Sequence, residues 1–243
     1  IKIANINYNS KILEIGPGTG NLTNEIINKK PKKILLIEKD KRLCLILKDK
    51  FKKNINIKIY NEDILKLINK NKFEKKTIVI GNLPYNISTK ILTLFLLLKK
   101  WPPCYDVLIF MFQKEVAERI VAKSKTKEFS RLSVLSNWRM DVKKHFDVSS
   151  NCFFPKPRVD SSVVSFTPKN NFRFTLKNPK TLEYVTRVLF SNRRKMINKS
   201  LNKLFNKKIY NLNKLNIDYK LRPGDLDNAT FYQIADIYEK LFE

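Results

Sequence analysis

"LEIGPGTGNLT", residues 13–23, decides how the rest of the chain is read. Three of the chain's five glycines, Gly16, Gly18 and Gly20, fall inside it. At average usage, ~7%, a chain of this length would hold about 17. A chain so sparing of glycine has gathered it at one place. Glycine turns a backbone sharply at positive φ and lets it approach a ligand closely. The apolar run Lys11–Ile15 leads into the stretch and Leu22–Asn28 has helical spacing, so the unit reads as strand, glycine turn, helix. The G-x-G-x-G spacing is not the dinucleotide G-x-G-x-x-G. No G-x-x-x-x-G-K-[ST] occurs, which argues against a P-loop nucleotide. A tight turn without a ligand would also account for the glycines; with a ligand, the motif suits any nucleoside-type cofactor.

Outward from this turn the same alternation continues. Apolar runs at Lys33–Ile37, Ile55–Tyr60, Thr77–Ile80 and Asp106–Phe112 read as strands, and Arg42–Phe51 reads as a helix. Such alternation predicts a parallel sheet covered by helices on both faces, an α/β fold. Ligands of such sheets lie beyond the carboxyl ends of the strands. Four of the predicted strands end there in Gly16, Glu38, Asp63 and Asn82. Val159–Phe166 reads as a late strand and Pro168–Asn178 as a linker. Beyond it the pattern is helical, at Thr181–Phe205 and Phe231–Phe242. The predicted division is a sheet domain over residues 1–170 and a small helical domain over 171–243. The Lys/Asn-rich stretch 202–214 keeps spaced apolar residues and is not read as disordered. No internal repeat is visible.

Glu38 closes an apolar run about 20 residues after the glycines, where a carboxylate accepts from both hydroxyls of a ribose. Asp63 closes the next, where a carboxylate accepts from the amino group of an adenine. A strand-end acid is often only a solvated one; the two in order after the glycine turn outline an adenosine pocket. "GNLPYNIST", residues 81–89, then acquires a role. The exocyclic nitrogen of adenine is a poor nucleophile, because its lone pair is delocalised into the ring. The Asn82 side-chain oxygen and the Leu83 carbonyl can accept its two hydrogens and favour a pyramidal nitrogen. Pro84 fixes φ and has no N–H to compete, and Tyr85 can stack on the base. The alternative is an ordinary turn.

The 243 residues carry 49 Lys and Arg against 22 Asp and Glu, a formal net charge of +27. Such a surface favours a polyanion, and nucleic acid is the first candidate. Lys (39) outnumbers Arg (10), and 26 Asn accompany them, a bias that an AT-rich coding sequence also produces. The longest apolar run, Ile91–Leu98, is far below the ~20 residues of a bilayer span. Cys44, Cys104 and Cys152 lie far apart, and with His145 as the single histidine no metal-ligand set is formed, so reduced thiols in an intracellular protein are expected. A catalytic Cys152–His145 pair is the weaker reading.

The chain resembles the rRNA adenine N6-dimethyltransferases, specifically the KsgA type acting on the small subunit. The resemblance rests on "EIGPGTGNLT" (14–23), "GNLPYNIST" (81–89), "FQKEVAER" (112–119), "RLSVL" (131–135), "FFPKPRVDSSVV" (153–164) and "NRRKM" (192–196). It implies a Rossmann-like class I methyltransferase sheet with a small helical domain and S-adenosyl-L-methionine as cofactor. It also implies dimethylation of two adjacent adenosines near the 3′ end of small-subunit rRNA during ribosome biogenesis. By the resemblance, Gly16 is the cofactor glycine, Glu38 the ribose ligand and Asp63 the adenine ligand, with Glu14, Gly18, Gly20, Ile64 and Asn82 completing the cofactor set. Asn82, Leu83, Pro84 and Tyr85 hold the target base, and Phe153 covers its other face. No metal is implied, nor a membrane; a monomer in the cytoplasm, or in an organelle with a bacterial-type ribosome, is expected.

Family members carry an N-terminal arm with a Gln-Asn-Phe-Leu stretch that closes over the cofactor. Ile1–Ser10 contain none, and the natural N-terminus is expected to lie upstream of Ile1. Arg193, Arg194 and Lys195 are predicted to sit inside a helix, with Lys195, Lys199 and Lys203 on one face at i, i+4 and i+8. The resemblance implies that these five contact RNA phosphates; otherwise they form a solvated lysine face. Two rival readings remain: an RNA-binding ribosome-assembly factor of the same fold that does not methylate, and a large-subunit rRNA methyltransferase of the antibiotic-resistance type. Leu83 and "FFPKPRVDSS" favour the small-subunit branch by resemblance.

Overall fold

The computed structural model describes residues 1–68, 73–206 and 217–242. Much of the Lys/Asn-rich stretch 202–214 lies outside them. By packing, the chain divides into two units: Ile1–Ala117 with Lys143–Pro168, and Glu118–Val142 with Lys169–Glu243.

The first unit is built on a sheet. Its strands are β1 (Lys11–Ile15), β2 (Lys33–Glu38), β3 (Ile57–Asn61), β4 (Thr77–Asn82), β5 (Tyr105–Gln113), β6 (Met140–Val148) and β7 (Ser161–Pro168), in the order β3-β2-β1-β4-β5-β7-β6. β1 to β5 are parallel and β7 runs antiparallel to β5. The chain goes outward from β1 to β2 and β3, then returns to pair β4 on the other side of β1. That reversal opens a crevice at the carboxyl ends of β1 and β4. β1 is central, and four of its five residues are buried, as a strand covered on both faces requires.

Helices α1 (Asn21–Ile27) and α2 (Lys41–Lys50) cover one face. Ile26 and Leu47, with Phe51 just after α2, join Ile12, Ile34, Leu36 and Ile109 in one apolar cluster. α3 (Ile64–Leu67) is a single turn. α4 (Tyr85–Leu96) buries Ser88, Ile91, Leu92, Phe95 and Leu96, a helical stripe of period 3 and 4. Phe95 meets Tyr105 edge-on at 5.4 Å and Phe110 at 5.9 Å. Ile109 and Phe110 are successive strand residues and point to opposite faces, so α4 covers the other face.

The second unit contains α6 (Arg131–Arg139), α7 (Pro179–Phe190), α8 (Asn198–Leu204) and α9 (Asn228–Phe242); α5 (Lys114–Val121) and β6 each cross the division between the units. Phe190 stacks on Phe231 at 5.3 Å, and Phe129 lies 6.0 and 6.2 Å from their rings. The buried carboxylate of Glu239, on α9, accepts from the N–H groups of Lys177 (2.8 Å) and Asn178 (2.7 Å) at the start of α7.

The expected boundary at 170/171 leaves out that residues 118–142 pack with the helices. Phe129 joins the aromatic cluster, and the Tyr232 hydroxyl donates to the Val134 carbonyl at 3.0 Å. The helix expected over Thr181–Phe205 is interrupted. The Ser191 hydroxyl turns back to the Val188 carbonyl at 2.7 Å, residues 191–195 form a turn and bend, and α8 begins only at Asn198. Arg193, Arg194 and Lys195 are therefore on a turn, not within a helix. The sequence reading assigned neither α4, α5, α6 nor β6. α6 buries Ser133, Ser136 and Arg139 beside its apolar residues, which blurs the periodicity.

Gly16, Gly18 and Gly20 all have positive φ (66°, 59° and 80°). A Cβ on Gly20 would stand 2.8 Å from the Phe51 ring and 3.0 Å from Leu47, whereas one on Gly18 meets nothing within 4 Å. Left-handed backbone costs about 1–2 kcal/mol for a residue with Cβ, and forcing extra volume into a packed core about 1–3. Urea unfolding is therefore expected to show Gly20→Ala destabilised by about 2–5 kcal/mol and Gly18→Ala by only about 1–2. Equal losses would contradict the packing described.

Candidate active site

The register of β1 assembles the site. Ile15 pairs with Ile37 on one side and Gly81 on the other, so Gly16, Glu38 and Asn82 follow at adjacent strand ends. The Gly16 N–H donates to the Ile37 carbonyl at 2.9 Å. A Cβ on Gly16 would lie 3.9 Å from the Asn82 carbonyl oxygen. The glycine turn and the Asn-Leu-Pro-Tyr loop thus abut.

Glu38 is 8% exposed. Its carboxylate accepts from the Gly18 N–H (3.2 Å) and the Asp40 N–H (2.9 Å), which ties the tip of the glycine turn to the end of β2. Each oxygen keeps a further lone pair for a hydroxyl donor. Asp63 caps α3: its Oδ1 accepts from the Leu65 N–H at 2.9 Å and its Oδ2 pairs with Lys39 at 3.1 Å. The Leu65 N–H leads the causes that hold its carboxyl below the usual range. Ile64 opens α3 with its side chain buried, so what it offers a ligand is a first-turn backbone N–H without an intrahelical partner. Glu14, 1% exposed, faces inward and accepts from the Thr23 hydroxyl at 2.7 Å, pinning α1 to β1 beneath the turn.

Asn82 is exposed, and its carboxamide makes no hydrogen bond to a described residue. Leu83 is buried, 2% exposed, so its side chain is not offered to a ligand. Its side chain fills the space above Gly81, where a Cβ would come within 2.6 Å of Leu83 Cδ2 and 3.2 Å of the Ile15 carbonyl. Glycine at 81 is what lets the loop fold back on β1. Pro84, at φ −56°, starts α4. The Tyr85 hydroxyl is held 2.6 Å from Ser161 Oγ on β7. Phe153 is half-buried in a loop whose ends are tied by Asp160: its carboxylate accepts from the Ser150 N–H and its carbonyl from the Lys114 N–H, each at 2.9 Å. Phe154 beside it is fully exposed. His145 bonds Ser165 at 2.8 Å.

In the helical unit, Arg193, Arg194, Lys195, Lys199 and Lys203 are all exposed. Arg193 donates to the Lys127 carbonyl. Lys199 and Lys203 share a face of α8, but Lys195 precedes that helix, so the expected three-lysine row is shortened to two.

The family model for ribosomal RNA adenine dimethylase matches residues 1–240. This chain belongs to the ribosomal RNA adenine dimethylase family. Among relatives of that family, the ribosomal RNA small subunit methyltransferase A of Pelagibacter ubique is 46% identical over 233 residues, covering 96% of this chain and 88% of the relative. The protein of the same name from Prochlorococcus marinus (strain MIT 9301) is 36% identical over 243 residues, with 97% and 88% covered. A dimethyladenosine transferase from Plasmodium falciparum superposes with a TM-score of 0.77 at 27% identity, over 96% of this chain and 91% of that one. The 23S rRNA methyltransferase ErmE superposes at 0.67 and 20% identity, over 98% and 94%, a likeness of fold. The sheet is that of the class I methyltransferases, as the resemblance implied.

The dimethylase family's cofactor, S-adenosylmethionine, fits the residues present. Open space lies over Gly18, and Glu38 combines fixed backbone donors with spare lone pairs. Two contributors escaped the sequence reading. Ser161 orients Tyr85, and Asp160 anchors the Phe153 loop; both lie in the quoted "VDSSVV" run, but only the fold brings Ser161 to a residue 76 positions away.

Burial pushes the Glu14 carboxyl up to about 7 from an ordinary 4.5, against the Thr23 hydrogen bond that pulls it down. A carboxyl held more protonated in the fold than in the unfolded chain contributes stability that is full below pH 4.5 and lost as pH rises through about 7. Glu14→Gln keeps an acceptor for Thr23 and stays neutral. Relative to wild type it should match at pH 4 and be more stable by about 3 kcal/mol at pH 8, read from denaturant melts. A difference that does not change with pH would overturn the assignment.

Proposed function

We infer that this chain transfers methyl groups from S-adenosylmethionine to the N6 amino groups of two adjacent adenosines near the 3′ end of small-subunit ribosomal RNA, two on each. The observation that carries the reading is the abutment of Asn82 on the glycine turn, where a Cβ on Gly16 would lie 3.9 Å from the Asn82 carbonyl oxygen.

When bound, S-adenosylmethionine supplies an electrophilic methyl carbon on a sulfonium sulfur. Glu38 is suited to its ribose hydroxyls, Asp63 to its adenine amino group and Ile64 to a ring nitrogen through its N–H. The Asn82 side-chain oxygen and the Leu83 carbonyl accept the hydrogens of the target amine. Two acceptors draw that nitrogen from planar toward pyramidal and favour the positive charge it gains during transfer. Pro84 places no N–H among them. Tyr85 stacks on the extruded base, its tilt set by Ser161, and Phe153 covers the second face. Orientation accounts for much of the rate. The amine loses its proton to water after transfer, so no titrating base is required. The exposed cations of residues 193–203 position RNA by its phosphates without reading sequence. Among the described residues no helix is long and apolar enough to cross a membrane. The reading takes the protein to act as a monomer in the cytoplasm.

Labelled-methyl transfer to unmethylated small subunits, with mass spectrometry of the rRNA 3′ region, tests this directly. Asn82→Ala is expected to lower transfer by about 10²–10³-fold while leaving subunit binding unchanged. Wild-type protein that binds and transfers nothing would leave an assembly factor instead. Replacing Arg193, Arg194 and Lys195 by Ala should flatten the log–log salt dependence of RNA binding by about 2; an unaltered slope would remove the turn from the contact surface.

A further inference from the structure

The loop between β6 and β7, residues 149–160, leads directly into Ser161, the residue that holds the Tyr85 hydroxyl. Its backbone is braced. The Asp160 carboxylate accepts from the Ser150 N–H across the base of the loop at 2.9 Å. The Cys152 N–H donates to the Ser149 carbonyl at 3.0 Å, and the Asn151 N–H to the Ser149 hydroxyl at 3.3 Å. Pro155 and Pro157 fix φ at two further positions.

Two rings adjacent in sequence sit differently on this loop. Phe153 is extended, at φ −120° and ψ 149°, and half-buried. Successive side chains of extended backbone point to opposite sides. Phe154 accordingly faces out, and its ring is fully exposed. Lys156 and Arg158 are exposed as well, and neither forms an ion pair with a described residue. The nearby carboxylates have partners of their own. Asp160 faces the Ser150 N–H, and Asp147 is taken by Lys144 (2.8 Å), Lys114 (3.1 Å) and the Ser162 hydroxyl (2.7 Å). The loop thus offers a bare ring beside two unpaired cations, next to the residue that orients Tyr85.

We propose that Phe154 stacks on the nucleobase adjacent to the adenosine being methylated, with Lys156 and Arg158 on the neighbouring phosphates. A base held against Phe153 has its neighbour tethered by one sugar–phosphate unit, and the next ring along the loop is Phe154. An aromatic ring with cations beside it takes an unstacked base of any kind. A ring on a braced loop loses little freedom when a base settles on it. One ring is a small apolar surface for a lipid layer, whereas it is all that a single base requires. The inference rests on the adenosine-methylating role proposed above and adds to it a hold on a second nucleotide.

The test uses the full chain. Phe154→Ser removes a ring that packs on nothing, so it is expected to melt with wild type. Its KM for unmethylated small subunits should rise about 5- to 100-fold, with kcat within twofold, since the contact is made equally before and during transfer. Phe154→Tyr should restore the KM. Phe154→Trp supplies a fluorescent reporter, read as the difference from wild type. A ten-nucleotide RNA carrying bases only at one adenosine and its two neighbours should quench the reporter. The same strand carrying the adenosine alone, or inorganic polyphosphate, should not. Replacing Lys156 and Arg158 by Ala should flatten the log–log salt dependence of strand binding by roughly 1.4. Equal quenching by the adenosine-only strand or by polyphosphate, a larger response to phosphatidylglycerol vesicles than to RNA, an unaltered salt slope, or an unchanged KM in Phe154→Ser would each overturn the proposal. Wild-type transfer with a silent reporter sinks the stacking contact alone. A reporter that answers to the neighbouring bases, in a protein that transfers nothing, sinks the enzymatic reading alone.

Discussion

Parallel pairing of β1 on both of its edges is the constraint from which the site follows. One strand five residues long takes β2 on one side and β4 on the other, in register at Ile15. Everything chemical then falls one residue further on: a glycine at the end of β1, a carboxylate at the end of β2, a carboxamide at the end of β4. A slip of a single residue in either pairing would turn alternate side chains to the opposite face. The buried runs of Ile, Leu and Val on these strands make such a slip expensive, so core packing and site geometry are enforced together.

The sheet was legible because β1, β2, β4 and β5 are largely buried and nearly continuous in apolar residues, and because glycine is concentrated at one turn. The polar strand ends followed from the general rule about where such sheets bind. Elements whose period is blurred were not legible. α6 buries serines and an arginine, and β6 has only one fully buried residue, Met140. The interruption after Phe190 depended on Ser191 preferring the Val188 carbonyl to continued helix, a local competition that spacing does not report.

For the site, the sequence singled out residues by type and position but not by what holds them. Glu14 reads as one more acid beside the glycines. In the fold it faces inward, bonded to Thr23 and shifted by burial. Asp63 reads as an adenine acceptor, yet both of its oxygens already have partners, so a ligand must share them. Ser161 could not be tied to Tyr85 before β7 was placed beside β5. The basic residues at 193–195 were visible, but their presentation on a turn rather than a helix depends on the stop that precedes them.

The carboxylate of Glu239 has a consequence beyond its own helix. It lies near the end of α9, yet its two hydrogen bonds close off the amides that begin α7, some sixty residues earlier. Glu239→Ala would thus be felt at Lys177 and Asn178, where two amides would lose their acceptor. The opening turn of α7 is therefore only as well closed as the far end of α9 is well folded.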